Sequence, residues 1–365
     1  MPLNCGIVGL PNVGKSTIFN ALTASKAQAA NYPFCTIDPN IGIVSIPDER
    51  LGKIAALIKP KSLVPTTMEF IDIAGLVAGA SKGEGLGNQF LGHIRSTDAI
   101  AHVVRCFDDP EVVHVAGIVD PLSDIDTINT ELLLADLDTV EKRSQRLEKL
   151  LKNATDPKIK AEGSAVAKLK EALEAGRPAR TVDLTDEERT AARDLHLITA
   201  KAMLYVANVD ESGLASGNAH TAKVEVRAAA EGSEVVRICG ALEAEIALLE
   251  PEERGEFLAD LGLEEAGLDR LIHAGYRLLE LITYFTAGVQ EVRAWTIKRG
   301  TKAPGAAGVI HTDFERGFIK ADCYSSNDLF ALGSEAAVKE KGLLRSEGKE
   351  YVVKDGDILF FKFNV

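Results

Sequence analysis

Hydrophobic and polar positions along the chain follow three different rhythms. In the first, short apolar runs alternate with amphipathic stretches. Leu3 to Gly9 reads as a buried strand and Lys15 to Ala24 as a helix. Thr67-Met68-Glu69-Phe70-Ile71-Asp72 alternates polar and apolar residues as a strand does, and Ala99 to Phe107, Ala202 to Ala207 and Glu234 to Ile238 are further strands. Strands separated by helical segments predict an α/β domain with a mostly parallel sheet covered on both faces.

The second rhythm runs from Glu131 to Thr199. Leu133, Leu137, Val140, Leu147 and Leu151 recur at heptad-like spacing with charged residues between them. Asn153-Ala154-Thr155-Asp156-Pro157 interrupts the pattern; Val166, Leu169 and Leu173 resume it, and Gly176 and Pro178 end it. This predicts an antiparallel helical hairpin inserted into the α/β domain, with two ordinary surface helices packed on the sheet as the alternative. The third rhythm is that of a small α+β module: strands at Glu291 to Ile297, Tyr351 to Val353 and Ile358 to Phe363, a tight turn at Asp355-Gly356-Asp357, and helices at Asn327 to Leu332 and Ser334 to Lys341.

Charge changes this picture in one respect. The 365 residues carry a net charge of −13, from 41 basic and 54 acidic side chains. That argues against coating nucleic acid through bulk charge and leaves room for a local basic patch. From Val289 onward 12 basic residues meet 11 acidic ones, so the acidity lies in the rest of the chain. The five cysteines form no C-x-x-C pair, which fits a reducing cytoplasm better than a zinc site or disulfide framework. No signal peptide or membrane-length apolar run is read.

The candidate chemistry begins at Gly9-Leu10-Pro11-Asn12-Val13-Gly14-Lys15-Ser16, a G-x-x-x-x-G-K-S loop between a strand and a helix. Such a loop turns the N–H groups of Asn12, Val13, Gly14 and their neighbours through Thr17 toward phosphates. Lys15 places a charge on the β- and γ-phosphates, and the Ser16 hydroxyl suits a magnesium ligand. Asp72-Ile73-Ala74-Gly75 closes the second strand: Asp72 can hold magnesium through a water, and the Gly75 N–H can reach a γ-phosphate. Thr36, in Tyr32-Pro33-Phe34-Cys35-Thr36, is the candidate switch threonine and third metal residue. Gly79, Gly83, Gly85 and Gly87 suggest a mobile nucleotide-sensing loop.

Two positions depart from the usual GTPase pattern. Leu76 stands where a glutamine often orients the attacking water, and His114 is the best substitute the sequence offers. Asn208-Val209-Asp210-Glu211 stands where N-K-x-D would read guanine. Glu211 is a methylene longer than the guanine-reading aspartate, and Val209 removes the lysine, so adenine becomes a serious candidate.

Together with Asn31-Tyr32-Pro33-Phe34, Gly83-Glu84-Gly85-Leu86-Gly87-Asn88-Gln89-Phe90, Phe285-Thr286-Ala287-Gly288 and Arg299-Gly300-Thr301-Lys302-Ala303-Pro304, these motifs resemble the YchF family of Obg-like P-loop proteins over essentially the whole chain. The resemblance implies a nucleotide domain (residues 1–132 and 200–283), a helical coiled-coil insertion (133–199) and a C-terminal TGS domain, a ubiquitin-like β-grasp module (284–365). It implies hydrolysis of ATP in preference to GTP with magnesium as cofactor, potassium through Asn12 being a second candidate. It also implies binding to the ribosome, chiefly the large subunit, with RNA contacts through the TGS or helical part. His114 is the implied catalytic histidine beside Lys15; the base contacts fall on Asn208, Val209 and Glu211. A true GTPase switch and a non-catalytic scaffold stabilised by nucleotide are the competing readings.

Overall fold

Every residue of the strand Ala99–Arg105 is buried, as a strand covered on both faces by helices requires. It is central to the first of two six-stranded sheets in a computed structural model that describes residues 3–24, 40–73, 75, 79, 86–152 and 155–364. In chain order the strands are β1 (Asn4–Val8), β2 (Ile41–Ser45), β3 (Ser62–Val64), β4 (Thr67–Asp72), β5 (Ala99–Arg105), β6 (Ala202–Asn208), β7 (Val235–Ile238), β8 (Leu281–Ala287), β9 (Glu291–Lys298), β10 (Phe318–Ser325), β11 (Arg345–Glu347) and β12 (Asp357–Phe363). The first five helices are α1 (Lys15–Ala24), α2 (Glu49–Ile58), α3 (Leu86–Ser96), α4 (Pro121–Leu151) and α5 (Pro157–Glu174).

The chain divides into two compact units, Leu3–Ile43 with Glu69–Gly275, and Val44–Met68 with Tyr276–Val365. In the first unit the sheet order is β2-β4-β1-β5-β6-β7. β1 pairs in parallel with both β4 and β5, β5 with β6, and β6 with β7. This is the α/β P-loop fold. The C-terminal ends of β1, β4, β5 and β6 therefore face the same way, and the loops that follow them meet at one edge, where open α/β sheets take their ligands.

The heptad pattern becomes α4 and α5. Val140, Leu147, Val166, Leu169 and Leu173 share one buried cluster with Ala179, Leu195 and Leu197, while Leu133 and Leu137 pack at its side. Gly163 permits the close approach, because a Cβ there would sit 2.8 Å from the Leu151 side chain. Asp136 of α4, wholly buried, accepts hydrogen bonds from Ile198 N (2.8 Å), Thr199 N (2.7 Å) and Thr199 Oγ1 (2.6 Å). The helical segment is thus fastened to the turn that leads into β6.

The second unit is a mixed sheet in the order β11-β10-β12-β8-β9-β3. β8 and β9 form an antiparallel hairpin, and β12 joins β8 in parallel. One face holds Tyr284, Phe318, Leu359 and Phe361 under Ala303, Ala306 and Ala307. The other packs Phe285, Val292, Ala294, Tyr324 and Ile358 against Leu51 and Ile54 of α2. Three features depart from the sequence reading. Residues 44–68, read as part of the nucleotide domain, supply α2 and β3 to this unit, and β8 starts at Leu281, before residue 284. Tyr351 to Val353 is not a strand; Val352 makes a single antiparallel bridge with Lys302. Among the described residues no helix is long and apolar enough to cross a membrane.

Candidate functional site

The loop between β1 and α1 needs backbone shapes that few residues adopt. Asn12 has φ 61° and Gly14 φ 94°, left-handed geometry that asparagine and glycine tolerate best. A Cβ on Gly14 would overlap the Asn208 amide, so the glycine also lets the end of β6 close onto the loop. Asn208 uses that proximity. Its Nδ2 donates to Val13 O (2.9 Å) and its Oδ1 accepts from Gly240 N (3.0 Å). One buried side chain joins the phosphate loop to the loops after β6 and β7.

The result is a cavity of about 700 Å³ lined by Asn12, Gly14, Lys15, Ser16 and Thr17, by Phe107, Asp109 and Val112 after β5, by Asn208 to Ser212, and by Cys239, Gly240 and Ala241. Most of the residues predicted to bind nucleotide line this one space. Val13 borders it through Asn208, and Gly75 is close enough that a Cβ would meet Lys15 Nζ at 3.2 Å.

Lys15 is buried and donates to Leu10 O at 2.7 Å, leaving two ammonium hydrogens for other acceptors. Burial pushes its pKa down to about 8, with Asp72 opposing the shift. Burial likewise raises the pKa of Asp72, against the pull of Lys15 and a hydrogen bond with Ser16. Among the described residues Asp72 Oδ1, which is buried, has no hydrogen-bond partner. A buried carboxylate oxygen without a partner, next to a serine hydroxyl at the start of α1, fits the oxygen-ligand chemistry of magnesium. Thr36, the third expected metal residue, and Leu76 lie outside the described residues, as do Tyr32 to Cys35 and Gly83 to Gly85. Of the glycine-rich loop, Gly79 is described: its N–H donates to Glu131 Oε1 of α4 at 2.6 Å.

The segment Val209 to Glu211 follows β6 at the cavity wall. Val209 is 2% exposed and its N–H donates to Ile238 O at 2.8 Å. Asp210 accepts from Ser212 Oγ and Gly213 N, both at 2.9 Å. Glu211 is exposed at the cavity wall. Asn12 Nδ2 donates to Val113 O at 3.2 Å, tying the phosphate loop to the segment after β5.

His114 is placed behind that segment and is not among the cavity-lining residues. It is buried. Its Nδ1 accepts from Ala116 N at 3.2 Å, so Nε2 carries the proton and donates to Asp124 Oδ2 at 3.0 Å. Both ring nitrogens are engaged. Burial raises the pKa of Asp124, while the His114 hydrogen bond and the Arg105 charge oppose the rise.

Phe107, Asp109 and Val112 line the cavity and carry no motif; their carbonyls accept hydrogen bonds from Arg105. One signal was available: Arg105 ends a run that is otherwise apolar but for His102, where a charge is out of place unless it has partners. Arg105 is 1% exposed.

The comparisons with known proteins agree with this geometry. A family model described as "50S ribosome-binding GTPase" matches residues 4–159. A second, YchF-GTPase_C, described as a protein of unknown function, matches residues 281–364. The protein named Ribosome-binding ATPase YchF of Bacillus subtilis is 58% identical, with 100% of both chains covered. Its namesake in Haemophilus influenzae is 57% identical, also over 100% of both. The solved structure of the YchF GTPase of Schizosaccharomyces pombe matches with a TM-score of 0.89 at 42% identity, covering 99% of this chain and 97% of that one.

Proposed function

The chain belongs to the YchF family, and from that membership we propose a magnesium-dependent P-loop ATPase that binds the large ribosomal subunit. Lys15 and the N–H groups of Asn12 to Thr17 would hold the phosphates. Ser16 and Thr36 would hold magnesium, with Asp72 at one remove, and the ion, when bound, supplies charge at the β- and γ-phosphate oxygens. A potassium ion would use Asn12 Oδ1, since the amide nitrogen is committed to Val113 O. Turnover is slow in this reading, because a leucine at position 76 cannot orient water. His114 can act as a base through Nδ1 only by releasing Ala116 N, with Nε2–H still held by Asp124. We read residues 133–199 as the coiled-coil insertion and 284–365 as the body of a TGS domain.

The arrangement of Val209 to Glu211 carries the choice of ATP. Guanine offers an N1–H and a 2-amino group to a fixed carboxylate. Asp210 is turned into its own loop by Ser212 and Gly213, and Glu211 is solvent-exposed. Neither supplies a rigid acceptor pair. A bidentate contact of that kind discriminates by ~1–3 kcal/mol, roughly 5- to 150-fold. Its loss leaves a tolerant site, in which MgATP binds at least as tightly as MgGTP and GDP still enters. Val209→Lys with Glu211→Asp shifts the preference toward GTP. Competition calorimetry decides: GTP binding about tenfold tighter than ATP to the unmodified protein would sink the reading.

For the ribosome the second unit offers Lys298 and Arg299, both exposed at the end of β9. Lys302 and Arg293 are further basic residues of the same unit, each with a partner of its own. Lys302 pairs with Glu350 at 2.5 Å. Arg293, earlier on β9, lies over Trp295 with its guanidinium carbon 4.1 Å from the ring centroid. Lys298→Glu with Arg299→Glu should weaken cosedimentation with large subunits. The slope of log affinity against log salt should become shallower by about one for each phosphate the protein ceases to neutralise. An unchanged salt slope removes this surface from the interface.

A further inference from the structure

We infer that Arg105 is a positioning residue for nucleoside recognition, holding the wall made by Phe107, Asp109 and Val112 in the shape that receives a base. The inference rests on the reading of the cavity as a nucleoside triphosphate site. Its guanidinium is almost wholly buried, and its nitrogens all go to the carbonyls of one short segment: Nε to Phe107 O (3.1 Å), Nη2 to Asp109 O (3.1 Å) and Nη1 to Val112 O (2.8 Å). The guanidinium carbon also lies 4.6 Å from the centroid of the Phe107 ring, within cation–π range.

The three residues that supply these carbonyls are the three of this segment that line the cavity. The planar fork of arginine meets three acceptors at fixed angles, which an ammonium cannot reproduce. Arg105 also pairs with Asn208 across β5 and β6, so the clamp starts beside the residue that joins the phosphate loop to the loop after β7. The phosphate side of the cavity meets this segment at one point, where Asn12 Nδ2 donates to Val113 O, one residue beyond the last clamped carbonyl. It is shaped by the Asn12 and Gly14 backbone and by Lys15.

Loss of the clamp should therefore affect the nucleoside and spare the phosphates. The test is calorimetry of the full-length protein with MgATP, MgGTP and magnesium tripolyphosphate, which carries a phosphate chain and no nucleoside. Arg105→Met should weaken both nucleotides by at least about tenfold and leave tripolyphosphate within about twofold, with Arg105→Lys in between. Equal weakening of all three ligands, or unchanged nucleotide affinity in both variants, overturns the assignment. If Arg105→Met does not fold, Arg105→Lys decides the question through amide hydrogen exchange. Exchange should rise across residues 107–113 and stay unchanged at 12–17; unaltered exchange at 107–113 refutes the clamp. Failure of the unmodified protein to bind either nucleotide would instead overturn the function on which the inference rests.

Discussion

Lys15→Met lowers single-turnover ATP hydrolysis by about 10²- to 10³-fold, the loss expected when one preorganised charge on a transferring phosphoryl group is removed. Methionine keeps most of the side-chain volume, so no large cavity confuses the result. The melting temperature of the nucleotide-free protein should hold or rise. Lys15 is buried, its ammonium faces the Leu10 carbonyl at 2.7 Å, and burying a charge costs free energy that methionine does not incur. A variant that hydrolyses ATP at the normal rate would remove Lys15 from the chemistry. One that simply unfolds would show that the lysine holds the loop together.

The same residue gives binding a pH signature. Burial pushes the Lys15 pKa down to about 8, and bound phosphates favour the ammonium and raise it again. Above pH 8 the nucleotide-free protein has lost part of this proton and the complex has not. Binding then takes up a proton, and affinity falls as pH rises, by at most about tenfold per pH unit. Calorimetry in two buffers of different ionisation enthalpy measures the uptake, and Lys15→Met should abolish it. Without nucleotide, the folded-state pKa lies below the unfolded value of 10.5, so the unfolded chain binds more protons between the two. The destabilisation due to Lys15 is full below pH 8 and fades as pH climbs toward 10.5.

How much of this was legible in the sequence depends on the range of the forces involved. The phosphate half of the site is encoded locally. A strand, a glycine-rich turn and a helix follow one another within Asn4 to Ala24, and the chemistry follows from their order. The same holds for β5 and β6, whose apolar runs announce burial on both faces, and for β4, whose alternation announces one buried face. The base half is built by loops after three different strands, and Phe107, Val112 and Cys239 look like any apolar residues until those strands are placed side by side. The sequence does place His114 in the loop after β5. Its ring orientation is not legible there, because it depends on where the first turn of α4 puts Asp124. Residues 44–68 were illegible for the opposite reason: β3 takes its partner from a strand far along the chain, Ser62 meeting Glu291, and a pattern of side chains does not encode so distant a pairing. Asp136 and Arg105 share one feature: each is a buried charge satisfied largely by main-chain groups, which leave no trace in side-chain periodicity.

Asp136 gives the largest expected effect on stability. Its carboxylate takes two backbone N–H groups and one hydroxyl from Ile198 and Thr199, and Thr199 Oγ1 in turn accepts from Ala179 N at 3.0 Å. Burial raises the pKa of Asp136, and these hydrogen bonds oppose the rise. Alanine would leave three buried donors without an acceptor. At about 1–3 kcal/mol for each unsatisfied group, partly relieved by relaxation, Asp136→Ala costs about 3–5 kcal/mol. In a unit of this size that lowers the melting temperature by about 6–20 °C. Asp136→Asn keeps one acceptor oxygen but turns an amide N–H₂ toward donors, so it falls between alanine and the unmodified protein. Thr199→Ala removes one donor together with its own link to Ala179, and the double variant should be less than additive, because the two residues act through one network. Asp136 does not line the cavity, so below the transition MgATP affinity should stay within about twofold of normal. A shift of less than about 2 °C for Asp136→Ala would mean that α4 and the turn before β6 are held by the apolar cluster of Val140, Leu147 and Leu197, with the carboxylate adding little.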